Sequence, residues 1–184
     1  MPIDDALASE LAALGRVSHV LAPNLVHYLY LAAAKERYPE ARLLGPSGLD
    51  RKVPSLTFEP LDLESIPALQ GSLAALPIEG APKISETALF HPLSRTLIVA
   101  DLVFNIETPS SWSTALLLSL TGTRGRLAPS RVWRLFTTDG PRVRASCDRI
   151  LAWSFDRLIV AHGNIIPSGA KERLGQALTR IGAR

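Results

Sequence analysis

The chain has 184 residues, 47% of them apolar, a net charge of +3 and a sequence pI near 9.3. That length and apolar content suit one globular domain with a sizeable core, so residues 1–184 are expected to form a single domain. The longest apolar runs, such as Thr114 to Leu120, fall short of the roughly 20 residues a bilayer span requires, which excludes a transmembrane helix.

In chain order the pattern alternates between helix and strand. Ile3 to Leu14 predicts an amphipathic helix with acids in its first turn and Gly15 as its stop signal. Val17 to Leu21 reads as a short buried strand, Leu25 to Arg37 as a helix ended by Pro39, and Arg42 to Leu44 as the next strand, closed by Gly45-Pro46. Together they make one βαβ unit. Arg51 to Glu79 is rich in proline and weakly periodic, so only short strands and turns are expected there. Thr87 to His91 and Thr96 to Ala100 predict a hairpin turned by Pro92-Leu-Ser-Arg95. Helices follow over Ser111–Leu120, Ser130–Phe136 and Arg142–Trp153, then a strand over Arg157–Ala161 and a closing helix over Ala170–Ile181.

Several readings concern partners and compartment. The acidic opening Met1-Pro-Ile-Asp-Asp-Ala lacks the basic region and apolar core of a secretory signal, and a lone Cys147 cannot form an internal disulfide. Both point to a cytoplasmic protein. Seven arginines lie between Arg124 and Arg149. Arg142, Arg144 and Arg149 share a predicted helix with apolar Val143, Ile150 and Leu151, so a solvated face explains them better than a phosphate-binding surface does. Few aromatics interleave with the charges, and nucleic acid is not an expected partner. Gly122-Thr-Arg-Gly125 lacks the lysine and helix context of a phosphate loop.

Two segments carry the chemistry: Leu97-Ile-Val-Ala-Asp101 and Leu158-Ile-Val-Ala-His162-Gly163. Each is a buried strand pattern ending on a side chain able to bind a metal. In one sheet they bring a carboxylate and an imidazole to the same rim. Gly163 permits an unusual backbone or a close approach beside His162, while Asp101 could equally cap the segment after its strand.

These residues resemble a known family. Val17 through Asn24 to His27-Tyr28, followed by a helix and Tyr38-Pro-Glu-Ala-Arg-Leu-Leu-Gly-Pro, is similar to the strand, metal loop, helix and strand of the metallo-β-lactamase fold. The strand ending at Asp101 resembles that superfamily's bridging aspartate, and the one ending at His162 its final ligand histidine. More narrowly, Ala22-Pro-Asn24, Glu86 with Phe90-His91, Asp101 to Asn105, and Trp153 through His162-Gly look like an uncharacterised domain family related to those hydrolases. The resemblance implies an αββα sandwich, shortened at its N-terminus because the usual first hairpin is missing. An exposed sheet edge would follow, and a homodimer is its simplest remedy.

The departures from the family's pattern decide what is expected of the site. The superfamily's loop reads His-x-His-x-Asp-His; the aligned positions here are Pro23, Leu25, His27 and Tyr28. Proline and leucine cannot bind zinc, and Gly80 to Thr87 holds no histidine, Glu86 being the nearest polar residue. The first metal site is therefore expected to be absent. What the resemblance leaves is His27, Asp101 and His162 as ligands of at most one zinc ion, in a pocket with Asn24, Tyr28, Glu86 and Asn105. The expected function is a degenerate scaffold, non-catalytic or weakly active, that binds a small molecule or a protein partner. The alternative is a single-metal hydrolase of esters, thioesters or phosphoesters.

Overall fold

The computed structural model describes residues 3–63, 66, 69–109, 111–179 and 181, with the side chain of residue 132 left aside. They fall into two compact units that divide after Leu61.

The first unit opens with α1 (Asp5–Leu14), capped by the Asp4 carboxylate, which accepts from Leu7 N at 2.9 Å, and stopped at Gly15. Strands β1 (His19–Leu21), β2 (Arg42–Gly45) and β3 (Glu59–Pro60) form a parallel sheet in that order. The expected βαβ unit is present, with α2 (Leu31–Arg37) as its crossover. Its helix is shorter than the sequence pattern implies. Asn24 Oδ1 accepts from the backbone N–H groups of Val26 (2.9 Å) and His27 (2.8 Å), so residues 24–27 turn locally and the helix begins only at Leu31. Ala22, Leu31 and Leu49 form this unit's small apolar cluster, with Leu25, Tyr28 and Phe58 packed against it.

The second unit is built on a four-stranded sheet ordered β4 (Ala74–Pro77), β5 (Thr87–His91), β6 (Thr96–Val99) and β7 (Arg157–Val160). The first three are antiparallel neighbours, and β6 and β7 are parallel. The hairpin between β5 and β6 turns as expected, Arg95 N donating to Pro92 O at 3.0 Å. Helices α3 (Trp112–Thr121), α4 (Arg131–Phe136) and α5 (Gly140–Ala152) intervene before β7, and α6 (Ala170–Leu178) closes the chain.

Continuous β-branched and apolar runs such as Thr-Leu-Ile-Val suit a parallel pair covered on both faces. Phe90, Leu97, Val99, Leu158 and Val160 accordingly pack with Val143, Ile150, Phe155 and Leu174 in one core. α5 starts two residues before the expected Arg142, because Asp139 accepts from Arg142 N at 3.1 Å and Pro141 fits the first turn. α6 stops at Leu178, short of the expected Ile181. There Arg144 donates to the carbonyls of Leu178, Thr179 and Ile181 at 2.6–2.8 Å. Arg144 is therefore a helix cap, not part of a solvated face. Among the described residues, no helix is long and apolar enough to cross a membrane.

Candidate functional site

The parallel register of β6 and β7 creates the second unit's candidate site. Val99 pairs with Val160, so Asp101 and His162 each stand two residues beyond the last paired position. Their side chains meet: His162 Nε2 lies 3.2 Å from Asp101 Oδ1. Two donors held at about 2.0–2.1 Å by one tetrahedral ion would stand roughly 3.3 Å apart. The pair has the spacing of two ligands on one metal, and equally that of a carboxylate–imidazole hydrogen bond. Asp101 is 15% exposed and His162 40%, so the imidazole faces solvent.

Each partner is held from behind. Glu86 is buried, and its carboxylate accepts three backbone N–H bonds: Oε1 from Ala100 (2.9 Å) and Leu102 (3.1 Å), Oε2 from Asp101 (2.9 Å). Burial pushes the Glu86 carboxyl up to about 7, the nearby Asp101 charge adds to the rise, and the three N–H donors oppose it. With both oxygens bound to backbone, Glu86 shapes the turn that aims Asp101.

On the other side the Phe104 ring stacks on the His162 ring, centroids 4.8 Å apart and planes within 7°. Asn105 N donates to His162 O at 3.0 Å, and Asn164 N to Asn105 O at 2.8 Å. Asn105 Nδ2 also donates to Asn164 O at 2.8 Å. The two backbones run so close at Gly163, where φ is +114°, that a Cβ there would sit 2.1 Å from Asn105 O. This position requires glycine.

The structure thus brings together Glu86, Asp101, Asn105 and His162 of the expected residues. Asn24, His27 and Tyr28 belong to the first unit. There Asn24 is fully buried, and His27 Nδ1 lies 3.1 Å from Asn24 Oδ1. That oxygen already accepts two backbone N–H groups, so it acts as an acceptor and the His27 proton sits on Nδ1. His27 lies in a turn, not at the start of a helix as the sequence pattern implies. Tyr28 packs beside the apolar cluster, with Lys52 Nζ 5.2 Å from its ring centre.

Phe104 and Asn164 were not legible as site residues. An apolar residue three places after Asp101 carries no chemical signature, and its contact depends on β7 being brought alongside.

No protein-family profile and no curated protein matches this sequence. Solved structures do. The apo state of a chemotaxis sensor from T. denticola is similar over 98% of this chain and 77% of its own, at 14% identity and a TM-score of 0.62. A metallo-β-lactamase from Pseudomonas aeruginosa in its mono-zinc form is similar over 100% of this chain and 78% of its own (11% identity, TM-score 0.57). Another, from Pontibacter korlensis, covers 97% and 78% (12%, 0.55). The fold is that of the metallo-β-lactamases. At such identities the likeness establishes this α/β architecture and leaves the chemistry of a metallo-β-lactamase-fold site to its own residues.

Proposed function

We propose that this protein is a metallo-β-lactamase-fold scaffold with a degenerate metal site that holds at most one divalent ion, and that it is non-catalytic or weakly active. The observation that carries the reading is the 3.2 Å approach of His162 Nε2 to Asp101 Oδ1. The donor set fits zinc, being one carboxylate oxygen and imidazole nitrogen.

His27 is the proposed third ligand. Its support is the family's loop order, in which it replaces an aspartate. Pro23 and Leu25 remove the paired imidazoles of a first site. Residues 1–184 are proposed to act as one functional domain. One carboxylate and two neutral imidazoles leave a bound dication with a net positive charge, which predicts weaker binding than in a site with a second carboxylate.

A zinc ion in such a place supplies a Lewis acid and a bound water of lowered pKa. The chain's own residues orient the donors: Glu86 sets the Asp101 turn, Phe104 fixes the His162 plane and Asn24 sets the His27 tautomer. The favoured ligand is a small molecule or a protein partner. Cytoplasmic placement is also proposed, on the strength of the single, buried Cys147 thiol.

One observation favours the alternative of a single-metal hydrolase. His162 is 40% exposed, and a catalytic zinc needs an open position for water. Zinc-loaded protein assayed against ester, thioester and phosphoester substrates separates the two readings. Low or absent turnover is expected. Rapid zinc-dependent turnover lost in His162→Ala would establish the hydrolase instead.

A further inference from the structure

The connection after α3, together with α4 and α6, lines a cavity of about 660 Å³ within the second unit. That volume lies in the range of small-molecule sites, roughly 300–1,000 Å³. Its charge is one-sided. Arg126, Arg131, Arg134 and Arg173 line it, and no aspartate or glutamate does. The chain as a whole is nearly balanced, with 20 Lys and Arg against 17 Asp and Glu, so a merely solvated face would mix the signs.

Among the described residues none of the four cavity arginines meets a carboxylate. Arg126 donates to Gly122 O at 3.0 and 3.2 Å, and Arg131 to Leu120 O at 3.3 Å. These bonds orient the guanidinium groups without neutralising them. Arg131 and Arg134 stand three apart on α4, and Arg173 lies on α6. Leu127 and Pro129 add apolar surface to the lining.

Uncompensated guanidinium groups around a concave surface repel one another, and an anion relieves that repulsion. The planar fork of arginine matches phosphate oxygens bidentately. Two forks suffice for one phosphate, so four match two phosphates. We infer that this cavity binds a small soluble molecule carrying two adjacent phosphate groups. The inference is independent of the metal site.

Inorganic pyrophosphate is the probe, titrated calorimetrically into the full chain after metal removal by a chelator and dialysis. One binding event is expected, at least about tenfold tighter than for inorganic phosphate, in keeping with bidentate recognition of the second group. Arg134→Gln with Arg173→Gln should weaken it at least about tenfold, while Arg142→Gln with Arg149→Gln, equal in charge but outside the cavity, should change it less than about twofold. Should the glutamine pair misfold by circular dichroism, Arg134→Lys with Arg173→Lys decides, since it keeps the charge and loses the fork.

Equal losses from both pairs, or pyrophosphate no tighter than phosphate, would overturn the inference. So would a single-stranded oligonucleotide that binds more tightly than pyrophosphate and depends equally on Arg142 and Arg149, because the surface would then read a nucleic-acid backbone.

Discussion

Gly163 and Asn105 define how closely the His162 loop can approach its neighbour: a Cβ at residue 163 would lie 2.1 Å from the Asn105 carbonyl oxygen. The same contact carries the bond from Asn105 N to His162 O, so backbone packing and ligand placement are one feature. Gly163→Ala should therefore both destabilise the fold, by about 3 kcal/mol or more given the clash and the positive φ, and lower zinc affinity. Thermal melts and a zinc titration check it. An unchanged melting temperature would contradict the geometry.

Glu86 makes a different kind of prediction. Its carboxylate faces three N–H donors, and the amide of Glu86→Gln turns a donor toward one of them. A loss of about 2–4 kcal/mol is expected from the broken and mismatched bonds. Zinc binding should weaken with it, because the Asp101 turn loses its template. Wild-type stability in urea for this variant would show that the three bonds are not formed in solution.

What the sequence made legible was the shared rim. Two runs ending in Ala-Asp and Ala-His read as buried strands with ligands at one rim, because strand periodicity and β-branched composition are local signals, while their parallel register is seen only in the fold. Asp101 and His162 meet as expected. The turn at His27 was hidden, since its periodicity reads as helix and only the buried Asn24 side chain redirects the backbone N–H groups. Glu86 was legible as a polar residue near a missing histidine. Its three backbone partners arise only when β5 and β6 pair, a long-range event that spacing does not encode.

Cys147 supplies a test by reactivity. Burial pushes its thiol up to about 12, so almost no thiolate exists near neutral pH. Native protein at pH 8 should resist thiol-specific reagents and label only on unfolding. For stability the sign follows from an acid whose folded pKa is raised. Its contribution is complete below the unfolded value near 9 and is lost as pH climbs toward 12. Rapid stoichiometric labelling of the native chain would contradict the buried placement.

The expected homodimer has a surface available to it. Trp112, Leu116, Leu117 and Leu120 on α3 are all more than half exposed, and Trp112, Leu116 and Leu120 recur every four residues along one side. Light scattering at micromolar concentration should give a dimer, and Leu116→Glu with Leu120→Glu a monomer of unchanged melting temperature. A wild-type chain that stays monomeric would count against the dimer.

The central claim is a single metal held by two imidazoles and one carboxylate. Zinc K-edge absorption spectroscopy on the zinc-loaded chain tests it most directly, read beside metal stoichiometry for wild type and His162→Ala. The account predicts nitrogen and oxygen neighbours at about 2.0–2.1 Å, imidazole outer-shell scattering from two rings, no more than one ion per chain, and loss of that ion in the variant. A metal–metal vector at roughly 3.5–4 Å, or full occupancy that survives His162→Ala, would contradict it.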